Sequence, residues 1–449
     1  MRKVAGHLSA VAGRMLFIGF SLQILLGLAW ICGNITHVQQ FGDGFLFMPE
    51  AGLSLQVCAT FWYLFQLAVA FFAGDFFLKA VSGGKLSRIF RIWGSLVLVT
   101  IPTNLQCHLA LLPHSLVSSL LLCQLAFVWK AVREKDFFGT KKLAGTLICW
   151  LLLACLAPQY RYLGAVPVLF LFLYGFRRLG RGHLRKAVYQ ALLLCAFTGL
   201  VLGMGVWGRS GNRVREPEHL PTESGAGQTF AEAMFHRFAW TTVLRDWNLW
   251  PEELKAAAGD DLLWSAALYT DNVTEELQPY LTEQLGQEAA DALYLDVAEG
   301  ALKQFPGQIL KEMAWDAFAY SVPPVGTRLF LKGRGYDSGC PRNYDIMRRE
   351  TPVLTKYVMD YGCWWFGVAL VLAAFLTVAG AFVTADASKK TFGGIGYAVL
   401  AAVATGALMV LWYTFQGAGI LDVKNTIALA AFWAAWMVTV CHKAVVKEK

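Results

Sequence analysis

The sequence predicts an all-α integral membrane protein of about ten transmembrane helices that carries one extracytoplasmic, mainly helical domain. Three observations predict it. Hydrophobic residues make up 56% of the 449 and charged residues only 16%, with mean hydropathy +0.47, whereas soluble chains carry about 25% charge. The apolar residues fall in long runs, and a helix needs roughly 20 of them to cross about 30 Å of hydrocarbon. Lysine and arginine concentrate on every second connection between runs, which is the charge signature of cytoplasmic loops.

Seven runs precede residue 208, at roughly 13–33, 53–80, 89–112, 114–132, 143–157, 163–176 and 187–207. Three follow, at roughly 362–385, 391–416 and 426–441. The first begins after Met1-Arg2-Lys3 and Arg14, and no small-residue cleavage site interrupts it, so it reads as a retained span rather than a removed leader. One set of alternate short connections carries 22 Lys and Arg, while the other carries only Arg161 and Lys424. The orientation that follows puts both termini on the cytoplasmic side and the loop 34–52 outside.

The same alternation places residues 208–360 outside. That stretch holds 15 Lys and Arg against 23 Asp and Glu, a net of −8. The formal +8 of the whole chain therefore comes from membrane-edge anchors, which sit against anionic lipid, and points to no nucleic-acid partner. Apolar residues at three- and four-residue steps predict helices over Asp291–Phe305 and Gln308–Tyr320. Pro251 and Pro306 read as helix starts or breaks. The expected organisation is a membrane domain over 1–207, an extracytoplasmic helical domain over 208–361, and a second membrane segment of about three spans over 362–449.

Several chemistries lack their motifs. The chain has no GxxxxGK[ST] phosphate loop, no GxSxG and no HExxH, each of which supplies a defined backbone or ligand geometry. Nine of the ten cysteines lie in or at the ends of apolar runs, Cys340 being the exception. None has the spacing of a zinc site or a disulfide framework, so no metal and no cofactor is expected.

Polar residues that remain at membrane depth are costly and tend to face a bundle interior or a water-filled cavity. In the predicted orientation Gln56, Thr60, Asn104, Gln106 and His108 occupy outer ends of spans. His114, Gln159, Tyr160 and Arg161 lie on or near outer loops, and Gln39, Gln40, Asp43 and Glu50 lie in the first outer loop. Together they would ring an outward-facing cavity; singly, each could equally serve as a hydrogen bond between helices. Asp43 stands between Gly42 and Gly44, a setting that turns the backbone and leaves a short carboxylate at the tip. It reads either as a base at the bilayer edge or as part of a turn, and Glu50 is the competing base. Asp75, at the inner end of the second run, reads as a structural partner of Lys79 one turn on.

The segments Val38-Gln39-Gln40-Phe41-Gly42-Asp43, after the first span, and Pro158-Gln159-Tyr160-Arg161-Tyr162 with Pro167 resemble those of the GT-C class of membrane glycosyltransferases. That class uses polyprenyl-phosphate sugars and includes the protein mannosyltransferases and the lipid A aminoarabinose transferases. The resemblance covers the first two hundred residues. After the Asp this chain has Gly44-Phe45-Leu46-Phe47, where related bacterial sequences often carry a Glu-Tyr pair. The resemblance implies a sugar moved from a polyprenyl-phosphate carrier to an acceptor at the outer face. Asp43 or Glu50 would be the base, Arg161 with Tyr160 and Tyr162 would lie near the donor phosphate, and Gln40, His108 and His114 would line the substrate cavity. The domain over 208–361 would position the acceptor without catalysis of its own. The alternative is a transporter or a non-catalytic assembly protein for cell-envelope polysaccharide or lipid, which would place its working residues at mid-depth, at Gln23, Gln66 or Gln124.

Overall fold

The computed structural model describes residues 2–35, 55–84, 86–102, 104–105, 114–134, 140–156, 161–177, 188, 191–192, 194–201, 230–244, 246–268, 273–321, 354, 358, 362–383 and 427–446. Every regular element among them is helical. In chain order the α-helices are α1 (Arg2–Asn34), α2 (Leu55–Ser82), α3 (Arg88–Val99), α4 (His114–Glu134), α5 (Thr140–Leu156) and α6 (Arg161–Arg177). They continue with α7 (Phe230–Met234), α8 (Glu252–Ala258), α9 (Asp260–Leu268), α10 (Gln278–Leu285), α11 (Gln287–Gln304), α12 (Pro306–Ser321), α13 (Gly362–Val383) and α14 (Ile427–Val446). The chain forms two compact units, one from residues 1–211, 322–406 and 423–449, the other from residues 212–321 and 407–422.

In the first unit His7–Asn34, Thr60–Ser82 and Leu116–Glu134 are long and apolar enough to cross a membrane, and Gly362–Val378 is a shorter apolar helix. Ile18, Leu25, Phe61, Phe72 and Val371 are each about two-thirds exposed or more. Apolar side chains turned outward in such number are what lipid requires and water penalises, so the unit has the character of a membrane protein.

The last helix, α14, is central. It packs against α1, α2, α3, α4 and α13, and Ala430, Ala431, Ala434, Ala435, Met437 and Val438 on it are all but fully buried. Small residues four apart let helix backbones approach, which is how helices associate where lipid offers no hydrophobic drive. Alpha-1 answers with glycine. A Cβ at Gly13 would stand 2.6 Å from the Ala444 methyl carbon, and one at Gly19 would stand 1.9 Å from the Trp365 ring. Cys441 donates its thiol to the Gly13 carbonyl at 3.5 Å, so α1 and α14 run antiparallel with the start of one beside the end of the other.

The ends of the unit differ in chemistry. At one end α2 stops in a left-handed glycine pair, Gly83 and Gly84 (φ 64° and 77°), with the Gly84 amide returned to the Lys79 carbonyl at 3.2 Å, a helix stop that residues with a Cβ resist. Here Arg133 of α4 donates to the Gly83 carbonyl at 3.4 Å, Lys142 of α5 pairs with Glu134, and Arg91 of α3 lies 3.1 Å from Asp75 of α2. Asp75 therefore pairs across helices with Arg91 and not with Lys79 along its own helix, because α2 and α3 pack face to face there. The Arg91 N–H is not directed at the carboxylate, so the contact is an ion pair without a formed hydrogen bond. We call this the basic end.

The second unit is a helical domain. A π-helical segment, Phe235–Leu244, follows α7 and buries Phe235, Phe238, Ala239 and Val243 against α11. Phe235 and Tyr294 rings lie 5.0 Å apart. The Tyr294 hydroxyl donates to the Gln278 carbonyl at 2.9 Å and the Gln278 amide to the Glu232 carbonyl at 2.8 Å, which ties α7, α10 and α11 together. Burial pushes the Tyr294 hydroxyl up to about 12, with Glu232 and Asp291 adding to the rise and Thr282 opposing it. The expected helices over Asp291–Phe305 and Gln308–Tyr320 are α11 and α12. Pro251 immediately precedes α8, and Pro306 opens α12.

Candidate functional site

The end opposite the basic one is built on a broken span. The run 89–112 is expected as one helix, yet α3 stops at Val99. Pro102 is the reason: it has no amide hydrogen for the carbonyl four residues back and its ring presses on that carbonyl. Side chains take over the work. The Thr100 hydroxyl, besides its 2.8 Å bond to the Leu96 carbonyl, donates to the Val97 carbonyl at 3.3 Å, the Gln23 amide of α1 reaches the same Val97 carbonyl at 3.5 Å, and the Asn104 amide reaches the Leu98 carbonyl at 2.6 Å. In a dry environment such carbonyls must find donors inside the protein.

Around this break the ends of three helices converge. Trp30 and Ile31 of α1, Tyr63 of α2, Val99 of α3, Leu105 and Val358 form one buried apolar cluster. Thr60 of α2 donates its hydroxyl to the Ile35 carbonyl at 3.3 Å, so α1 ends where α2 begins. Asp43 and Glu50 fall between these two helices in the sequence, outside the described residues. Three polar side chains are buried here: Tyr63, Asn34 and Asn104, at 0%, 0% and 5% exposure. Asn34 spends its amide on the Trp30 carbonyl at 2.8 Å. The Asn34 and Asn104 side-chain oxygens and the Tyr63 hydroxyl have no hydrogen-bond partner among the described residues. Each such group costs about 1–3 kcal/mol when left unmade.

Among the residues anticipated from sequence, Asp43, Glu50, Gln40, His108 and Tyr160 lie outside the described residues. Arg161 and Tyr162 open α6, and His114 opens α4. Thr60 and Asn104 are at the converging ends. Tyr63 and Asn34 were not singled out by sequence reasoning. The signal for Tyr63 was available, since Gln56, Thr60 and Tyr63 recur at four and three residues and so share one helix face.

The mid-depth glutamines hold helices together. Gln124 of α4 donates to the Thr146 carbonyl of α5 at 3.3 Å and to the Gly164 carbonyl of α6 at 2.7 Å, while Gln23 serves the end of α3. Gln66 is fully buried. No group of three or more His, Cys, Asp or Glu residues able to hold a metal ion occurs among the described residues. Cys32, Cys123, Cys149, Cys155, Cys195, Cys363 and Cys441 are free thiols.

No family model, no curated protein and no solved structure matches this chain.

Proposed function

We propose that this chain is a multi-pass membrane glycosyltransferase that moves a sugar from a polyprenyl-phosphate carrier to an acceptor hydroxyl at the extracytoplasmic end of its helices, with both termini cytoplasmic. The reaction needs a base for the acceptor proton and a cation for the departing phosphate. Asp43, with Glu50 as the competing base, serves the first need. Arg161 serves the second, since guanidinium stays charged and offers phosphate a planar fork. The observation that supports this reading is the set of buried oxygens on Asn34, Asn104 and Tyr63, near the end of α1 and the start of α2, between which Asp43 falls in the sequence. Unpartnered buried oxygens of this kind suit a ligand rich in hydroxyls, which can donate to both amide oxygens and exchange a hydrogen bond with the phenol.

Transport or envelope assembly is the rival reading. It would draw on mid-depth polar residues, and the amides of Gln23 and Gln124 are already committed to backbone carbonyls, which favours the enzyme. The test is sugar transfer from a lipid-linked donor in membranes containing the protein. Loss of transfer in Asp43→Asn at unchanged protein level supports the assignment. Transfer at the wild-type rate in that variant rejects the base, and no transfer by the wild type across the common lipid-linked donors moves the assignment to transport or assembly. Orientation is checked separately by labelling from outside, which should modify a cysteine introduced at Gly225 and spare one at Gly182.

A further inference from the structure

At the basic end the two described carboxylates are already engaged. Asp75 is held by Arg91, and Glu134 by Lys142. Lys79, Lys130 and Arg133 have no carboxylate within ion-pair distance among the described residues, yet they converge. Lys130 Nζ lies 4.2 Å from the centre of the Phe76 ring, and Lys79 follows Phe76 by three residues on the same face of α2. Lys79 and Lys142 are near enough to Lys130 to repel it, with Glu134 acting in the opposite sense. Arg133, one turn along α4 from Lys130, lies flat on Gly83, where an added Cβ would overlap its guanidinium. Three cations gathered with only Glu134, itself paired with Lys142, as nearby counter-charge are costly in isolation, and a multivalent anion removes that cost.

The same face continues away from the charges. Phe72, Phe76 and Lys79 recur at four and three residues, and Phe72 is 69% exposed. An apolar stripe that ends in cations outnumbering their nearby carboxylate at a helix terminus matches an acyl chain joined to a phosphate, and basic pockets between membrane helices bind anionic headgroups in this way. We propose that the shared end of α2 and α4 is a binding site for one anionic phospholipid, its phosphate held by Lys79, Lys130 and Arg133 and its acyl chain laid on Phe72. This rests on the membrane reading above and is independent of the transferase assignment.

The test uses the purified full chain in phosphatidylcholine nanodiscs titrated with phosphatidylglycerol and scored by retained lipid. The wild type should prefer phosphatidylglycerol to phosphatidylcholine. Since each cation near a membrane surface contributes about a five-fold gain, the Lys79→Gln/Arg133→Gln pair should lower phosphatidylglycerol affinity by about 25-fold and leave phosphatidylcholine retention unchanged. Lys443→Gln, at an exposed position near the end of α14, should change little. Equal retention of the two lipids, an equal loss in Lys443→Gln, or displacement of the lipid by millimolar inorganic phosphate would each overturn the proposal. A chain that failed to remain in carbonate-washed membranes would reject the membrane reading itself, a result separable from loss of lipid preference in a well-integrated protein.

Discussion

The side-chain amide of Asn104 donates to the backbone carbonyl of Leu98 at 2.6 Å, and that carbonyl is the acceptor Pro102 would have served had it been any other residue. One side chain thus repairs the hydrogen bond that the proline removes, and in doing so leaves its own oxygen without a partner among the described residues at the converging ends of α1, α2 and α3.

This substitution of side chain for backbone is open to a double-mutant test. Asn104→Leu should destabilise the protein by about 1–3 kcal/mol, the cost of a buried carbonyl left unpaired. Pro102→Ala restores a backbone donor to the same carbonyl, so Asn104→Leu should cost clearly less in that background. The measurement is the thermal midpoint of the detergent-solubilised protein, and equal penalties in both backgrounds would show that the two residues do not share the Leu98 carbonyl.

The partner of Asp75 is distinguishable by charge removal. Asp75 faces Arg91 across two helices, so Asp75→Asn and Arg91→Gln should each lower stability by about 1 kcal/mol, with the double variant losing no more than either alone. Lys79→Gln should leave the thermal midpoint unchanged. A larger loss from Lys79→Gln than from Arg91→Gln would return Asp75 to the pairing within its own helix.

Tyr294 sets an alkaline limit on the second unit. Its folded-state value of about 12 stands above the usual 10.0 because burial penalises the phenolate. A raised folded value means the native state holds the proton more tightly, so this contribution to stability is complete below about pH 10 and is lost as pH rises towards 12. Tyrosinate absorbance followed together with far-ultraviolet circular dichroism should show unfolding in that window. Tyr294→Phe should flatten the pH dependence there, while costing about 1 kcal/mol at neutral pH through the lost bond to Gln278. An unchanged alkaline transition in the variant would assign it to another group.

The transferase assignment separates base from phosphate ligand. Asp43→Asn should lower the transfer rate by about 10² to 10⁴-fold and leave donor binding intact, with Glu50→Gln as the control for the competing base. Arg161→Lys should weaken donor binding, because lysine keeps the charge and loses the bidentate fork. Tyr63→Phe, which removes only a buried hydroxyl without a partner among the described residues, should raise the acceptor KM and leave the unliganded protein as stable or more stable by about 1 kcal/mol; a stability loss with unchanged KM would make the hydroxyl structural.

The sequence by itself determined the all-helical class and the place of several helices, because hydropathy, 3.6-residue periodicity and proline act over a few residues. Pro251 and Pro306 mark where α8 and α12 begin, and α11 and α12 lie where the apolar spacing put them. The clustering of cations was equally readable as a charge pattern. Tertiary structure decided what those elements do for one another. Sequence offered Asp75 only Lys79, since i,i+4 pairing is the one ion pair a linear reading can see, whereas Arg91 is reached through the packing of α2 on α3. The close approach of α14 to α1 depends on Gly13, more than 400 residues away, with Cys441 meeting the Gly13 carbonyl. The third run reads as a continuous apolar span because hydropathy does not register a missing amide hydrogen; the break at Pro102 becomes stable only once Thr100, Asn104 and the distant Gln23 are in place to satisfy the carbonyls it exposes. Tyr63 gains its meaning in the same way: a tyrosine in an apolar helix is ordinary, and its buried hydroxyl becomes a candidate contact only because Trp30, Val99 and Leu105 close around it.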